Sequence, residues 1–507
     1  MGFLKPLFAA AETVSAADIA IAVAMLVLTV IVALTAVWLL SRFISKGKGR
    51  FLVAPLVCIL AGGLVIRLVF SLTVTGFRED ISRMAEVAGR MFGGTLTGYY
   101  AQGGTDIYPI SFYVLGLFGG ICRAAGLSVD SVFTAMCLKL PLILADVGTA
   151  LILYLAARRF ANDHVGLVLA GLYMFCPAFF VLSGIWGNPI VLLFVPLLLS
   201  LYMLVTKRSF AAIMLYSLCL LIHADAMYLY PAYLLYYGWQ FIKAVRKAVR
   251  AKKSAGELWR DKALSAVFRL PLYFVLAFFA KYLVSMPFAV ADFGGNPFAF
   301  VSGLFLKPLV EVSVYSQNGI SIYNIFTRNG VMMGESFPIV VFVSCFAVLV
   351  AAIGCIVYLS KKNRAVLVLY AAFIPYTLVT YYFGFSLAGY MTLIVLLLLA
   401  FLLIKDRRIL QVIMLTAFCF AMTAMTVLAG AGYLNSEAGL MTGDYPYLTE
   451  GFGLAVMIIG AVVSVAGHIY LTLVLLDISM SNNRRLLTGH PAIGYFAGVK
   501  RLFKDGE

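Results

Sequence analysis

Residues 75–113, TGFREDISRMAEVAGRMFGGTLTGYYAQGGTDIYPISFY, gather Glu79, Asp80, Glu86 and Asp106 in one polar, Gly-rich stretch. Nearly everything around it is apolar. A carboxylate cluster at a bilayer surface, ahead of many apolar helices, suits chemistry at that surface. Glu79, Asp80 and Asp106 could share a divalent cation; no other cofactor is implied. The competing expectation is a solvated connector with ordinary acidic residues.

Charges inside apolar runs form the second group, because an ionisable side chain in a membrane helix is costly and marks function by default. Arg67 lies in LAGGLVIRLVFSLTV, and Lys139 and Asp146 lie in CLKLPLILADVGTALILYLAARR. Seven residues make two turns, so Lys139 and Asp146 share a helix face. Asp146 is the deeper of the two, and Arg67 is its expected partner in a pair that locks two helices. Lys139 is expected near the outer rim, within reach of the loop carboxylates or a ligand phosphate; Arg67 is a second candidate for that contact. Further polar groups fall at the ends of later runs: Trp186 and Asn188, His223 with Asp225, and, in the 291–336 loop, Lys307, Glu311, Gln317, Asn318, Tyr323, Asn324 and Arg328. Interfacial Trp and Tyr are ordinary belt residues, and a His–Asp pair is more often a hydrogen-bonded contact than a metal site.

These residues need a scaffold, and composition says which. The chain has 507 residues, 63% hydrophobic and 12% charged, with mean hydropathy +1.01. Soluble domains average about 25% charged, so an all-α polytopic membrane protein is expected. Runs long enough to cross the hydrocarbon core fall at 17–41, 51–74, 136–157, 164–183, 189–206, 209–223, 225–242, 271–290, 337–358, 364–383, 388–404, 409–430 and 452–476, about thirteen helices. With the C-terminus cytoplasmic, 28 of the 38 Lys and Arg residues fall in segments 42–50, 158–159, 207–208, 243–269, 361–364, 405–408 and beyond 480. That bias sets orientation and places the 75–135, 291–336 and 431–451 loops outside. The net charge of +16 therefore reports topology, with no nucleic-acid partner implied. The basic 243–269 segment reads as a topology anchor, or as an amphipathic stretch on the anionic inner leaflet. Eight scattered cysteines and four dispersed histidines offer no metal-ligand spacing. The first apolar run is too long for a signal peptide and is expected to stay attached.

A resemblance now adds to this reading. KLPLILADVGTALILYLAARR (139–159) resembles the KLP…D…Y helix of bacterial integral-membrane glycosyltransferases of the GT-C class, mannosyltransferase-like proteins related to the enzyme adding the second mannose of GPI anchors. GFREDIS (76–82), GTDIYPISFYVLG (104–116), CPAFFVLSGIWGN (176–188) and SIYNIF (321–326) resemble that family's other segments in order, over residues 50–400. The resemblance implies a GT-C-like bundle with extracytoplasmic juxtamembrane helices, organised as an N-terminal extra helix and basic loop (1–50), a catalytic region (51–404), C-terminal helices (405–480) and a basic cytoplasmic tail (481–507). It implies transfer of a hexose, mannose by family, from a polyprenyl-phosphate donor to an extracytoplasmic glycan, lipid or protein acceptor at the plasma membrane. By position Asp80 is the general base and Asp106 the second carboxylate. Glu79, Arg67, Lys139, Trp186, Asn188, His223, Asn324 and Tyr390 would contact donor or acceptor. The chain departs from the pattern after Asn188, where the family's acidic residue is absent and Pro189, Ile190 and Val191 follow, and at 387–390, where a HERY-like motif is reduced to LAGY. Two other classes stay open: a transporter or lipid-linked glycan flippase, and an inactive relative that binds polyprenyl-phosphate.

Overall fold

The computed structural model describes residues 16–43, 52–73, 76–93, 99–100, 107–126, 132–250, 265, 267–296, 299–300, 303–304, 319–327, 337–359, 364–382, 387–430, 440–441 and 451–480. Helices dominate: α1 (Ala16–Phe43), α2 (Val53–Thr73), α3 (Arg78–Gly93), α4 (Pro109–Ala124), α5 (Val132–Phe160), α6 (Asp163–Phe175), α7 (Pro177–Phe180), α8 (Val191–Val205), α9 (Ser209–Cys219), α10 (Tyr230–Arg250), α11 (Leu270–Phe293), α12 (Phe337–Leu359), α13 (Arg364–Tyr381), α14 (Gly389–Ile404), α15 (Arg407–Gly430) and α16 (Gly451–Met480). A short parallel pairing joins β1 (Gly76–Phe77) to β2 (Leu440–Met441).

Five of these helices are long and apolar enough to cross a membrane, and six if the bent pair of α6 with α7 and the turn after it is one span. The expected thirteen is not reached on that count among the described residues. Helices α4, α8, α9 and α14 run for only 16, 15, 11 and 16 residues, and at 1.5 Å per residue such a helix falls short of a hydrocarbon core about 30 Å thick. The run expected at 225–242 is divided: Ala224–Leu229 is a 3₁₀ turn, and α10 begins after it and continues through the basic residues to Arg250.

The lipid-facing and protein-facing helices separate clearly. On α2, Val53, Val57, Val65, Val69 and Leu72 are exposed, as are Leu272, Val275, Leu276, Phe279, Leu283 and Val284 on α11. In water such apolar surface would be a liability; against acyl chains it is at home. Helix α14 is the opposite case. It is apolar all round and buried over nearly its whole length between α13 and α15, as a helix without a polar face must be. Helix α5 is the inner post of the other half, packed on α2, α4, α6 and α8. Helix α1 lies along α15 and α6, and Asn162, the N-cap of α6, donates through Nδ2 to Phe43 O at the end of α1 (2.7 Å).

Candidate functional site

A proline shapes the centre of the site. The residue before a proline is driven out of the helical region, and Cys176, ahead of Pro177, sits at φ −75°, ψ 126°. The chain therefore bends by 61° between α6 and the segment ending at Trp186. After α7 it widens into a π-helical turn, Val181–Trp186, closed by Gly187 in the left-handed region at φ +81°. The bend exposes the last carbonyls of α6, and Arg67 takes them up. Its Nη1 donates to Met174 O (2.8 Å) and Gly63 O (3.2 Å), and its Nη2 donates to Tyr173 O (3.3 Å).

Arg67 Nε completes the set by donating to Asp146 Oδ2 at 2.8 Å, and both side chains are shut from solvent, at 0% and 1% exposure. Asp146 also accepts from the Tyr173 hydroxyl (2.7 Å) and from Ser183 Oγ. The expected Arg67–Asp146 partnership is present, and it ties α2, α5, α6 and the π-turn at one point. Gly184 permits the close approach: a Cβ there would stand 3.2 Å from Arg67 Cα. The Arg67 guanidinium is spent on internal acceptors, so its geometry favours the helix lock over a ligand contact.

Lys139 lies two turns from Asp146 on α5, as the spacing requires, but it is buried and not at an open rim. Its Nζ donates to Ile185 O (2.9 Å), with Gly184 O at 3.5 Å. These are carbonyls at the C-terminal end of the π-turn, where the helix leaves acceptors without an internal partner and a side-chain donor satisfies them. A Cβ on Gly187 would stand 3.0 Å from Ile81 Cδ1 and 3.1 Å from Lys139 Cε. The first turn of α3, which contains Glu79 and Asp80, thus begins beside Lys139. Trp186 is buried in the same turn, and Asn188 Oδ1 accepts from Ile190 N (3.0 Å).

Two further polar patches lie in the later segments. In one, Ile110 N donates to Leu221 O (2.9 Å) and Ser111 Oγ to Ile222 O (2.8 Å), pinning the start of α4 to the end of α9. This brings Tyr108 over the His223 ring, with centroids 6.4 Å apart. His223 Nδ1 accepts from Asp225 N (3.2 Å) and lies 3.3 Å from its carboxylate. Tyr100 belongs to the same wall: its hydroxyl donates to Ile107 O (2.9 Å), and its amide donates to Asp292 Oδ2 (2.9 Å). Burial first, then the neighbouring phenols of Tyr99 and Tyr108, holds the Tyr100 phenol well above its usual range.

In the other patch, Asn324 Oδ1 accepts from Ser321 N and Oγ (3.3 and 3.0 Å), closing a capping box. Its Nδ2 is buried without a hydrogen-bond partner among the described residues. The Tyr390 hydroxyl donates to Ile320 O (2.9 Å) and pairs with Ser464 Oγ (2.5 Å), which in turn meets Thr380 Oγ1 (3.1 Å).

The structure therefore groups Lys139 with Trp186 and Asn188 beside the start of α3, joins His223 to Tyr108, and joins Asn324 to Tyr390 through the 320–321 backbone. Asp106 lies outside the described residues, as do the side chains of Glu79 and Asp80, and with them the divalent-cation site. Lys307, Glu311, Gln317, Asn318 and Arg328 lie outside as well. Sequence reasoning missed Gly187, whose only signal was its place after a buried Trp, and Ser464, one serine in an apolar run. No protein-family model matches this chain, and no curated protein matches it significantly.

Proposed function

We propose that this chain is an extracytoplasmic glycosyltransferase of the GT-C type, moving a hexose from a polyprenyl-phosphate donor to an acceptor hydroxyl. One observation carries the reading. Gly187 brings the first turn of α3, with Glu79 and Asp80 in its sequence, against the buried Lys139. A turn with two acidic residues in its sequence beside a buried lysine suits such a transfer. The acceptor oxygen attacks the anomeric carbon while Asp80 takes its proton. The bond from that carbon to the phosphate oxygen breaks, and the polyprenyl phosphate departs with the electron pair. Inversion follows from direct displacement.

In this reading the turn carrying Trp186 and Asn188 lies beside the departing phosphate, and Lys139, held through Nζ on Ile185 O, fixes that turn in place. His223 and Asn324, whose Nδ2 is a buried donor, face sugar or acceptor. Arg67 keeps the bend in place. The apolar segments lie across the plasma membrane with the C-terminus cytoplasmic, so that α3 meets the donor outside. Tyr390 turned inward to Ile320 O and Ser464 favours the second reading, a relative that binds donor without turnover.

The test is transfer of radiolabelled sugar from a panel of polyprenyl-phosphate sugars by the purified protein, with membrane-lipid acceptors. Wild-type transfer that falls at least 100-fold in Asp80→Asn (the order expected for a lost general base), with donor binding kept, supports the reading. Undiminished transfer in the variant removes Asp80 as base. Donor binding without transfer by wild type selects the inactive relative.

A further inference from the structure

The opposite end of the bundle carries a second surface, on α10. Three contacts fix its level. The Tyr237 hydroxyl reaches Ser209 O at the start of α9 (3.5 Å), the Tyr237 ring packs on Phe274 near the start of α11 (6.0 Å), and Phe241 packs on Phe268 just ahead of it (5.8 Å). The turn 237–241 is therefore level with the starts of α9 and α11, and residues 243–250 run on beyond it.

At about 100° per residue, those last turns divide into three arcs. Ala244 and Ala248 are buried on one side. Lys243, Arg246, Lys247 and Arg250 are exposed together on another. Ile242 and Val249, apolar and exposed, border the cations. Trp239 lies beneath the cationic arc, with Lys243 Nζ 5.6 Å and Arg246 Cζ 5.7 Å from its ring centre. A topology anchor needs only enough Lys and Arg on the correct side. It does not need them on one arc, stacked on an indole and edged with apolar side chains. That arrangement belongs to helices lying against charged membranes, cations in the headgroups and aromatic and aliphatic groups at the acyl boundary.

We infer that the end of α10 is a binding surface for anionic phospholipid. The phosphates meet Lys243, Arg246, Lys247 and Arg250, Trp239 sits at the glycerol level, and the acyl chains run along Ile242 and Val249. This is independent of the transferase reading, since it concerns the other end of the helices.

The experiment uses the full chain in nanodiscs of phosphatidylcholine with phosphatidylglycerol, counting phosphatidylglycerol retained on release by native mass spectrometry. Lys243→Gln/Arg246→Gln is compared with a charge-matched control at exposed sites elsewhere, Arg123→Gln/Arg159→Gln. The expected result is at least a fivefold loss of retained phosphatidylglycerol in the α10 variant, little loss in the control, and no displacement by inorganic phosphate. Equal retention in the two variants overturns the inference, and so does equal loss, which would reduce the effect to total charge. Release of the lipid by a soluble polyglutamate peptide also overturns it, because the arc would then be a protein-docking site. Bromine-labelled phosphatidylglycerol provides an independent reading in unaltered charge. It should quench wild-type fluorescence more than Trp239→Phe fluorescence, and equal quenching counts against the inference.

Discussion

The Arg67–Asp146 pair invites a direct energetic test. Asp146→Leu removes the carboxylate that receives Arg67 Nε, the Tyr173 hydroxyl and Ser183 Oγ, leaving a cation with no exposure beside an apolar side chain. Removing one partner of a buried pair costs about 3–5 kcal/mol, most of it the penalty of the stranded charge. A hydroxyl left unsatisfied adds about 1–3 kcal/mol unless it rotates to another acceptor. Because Met174 O, Gly63 O and Tyr173 O still hold the guanidinium, the lower part of the range, about 3–4 kcal/mol, is expected. Asp146→Asn keeps an acceptor and should lose less. Arg67→Met/Asp146→Leu removes both charges and should recover at least about 2 kcal/mol relative to Asp146→Leu, a coupling typical of directly paired groups. The assay is reversible unfolding in mixed micelles, followed by near-UV dichroism across the full cycle of variants. A loss under about 1 kcal/mol for Asp146→Leu, or a double variant equal to the sum of the singles, would refute the reasoning.

Other positions give sharp expectations. Gly187→Ala places an L side chain at φ +81° and against Ile81 and Lys139, so it should cost about 1–2 kcal/mol from the left-handed conformation alone, with Gly187→Asn milder in the same unfolding assay. Arg408 joins Asp406 (2.8 Å) and Asp477 (2.6 Å) in a buried cluster at the far end; Arg408→Met leaves two facing carboxylates and should cost about 3–5 kcal/mol, more than Arg408→Lys in parallel unfolding curves. Tyr100→Phe loses the hydrogen bond to Ile107 O and should cost about 0.5–1.5 kcal/mol. Because burial raises the Tyr100 phenol, its difference from wild type should hold from neutral pH to about 10, the unfolded value, and close above that; unfolding at stepped alkaline pH measures it.

Some of this was legible in the residues. A lone Arg and a lone Asp in neighbouring apolar runs have few ways to avoid a large penalty, so Arg67 and Asp146 could be paired from sequence. The positions of the apolar helices were legible for the same reason, since hydrocarbon admits little else. What hid was geometry produced by the backbone. Residues 164–183 read as one continuous span, although Pro177 signalled the bend that creates the acceptors for Arg67 and aims the π-turn at Lys139. Lys139 itself read as a rim residue, because depth along a helix says nothing of which neighbour covers it. Arg408 counted as one more basic loop residue; only the return of α16, carrying Asp477 close to its end, turns it into a buried ion pair. The first turn of α3 drew notice for its acids, while the glycine that brings it to Lys139 lies more than a hundred residues away in the chain.

The same lock has a consequence for how the protein is made. Arg67 and Asp146 are 79 residues apart, so at about 5–20 residues per second the ribosome delivers the carboxylate roughly 4 to 16 s after the guanidinium. During that interval α2 offers the bilayer an arginine, at up to about 2.5–3.5 kcal/mol against insertion. Its valines and leucines must carry that cost alone until α5 arrives. Helices α2 and α5 are therefore partners in biogenesis as well as in the finished bundle, and a change at Asp146 acts on membrane insertion of a segment synthesised before it.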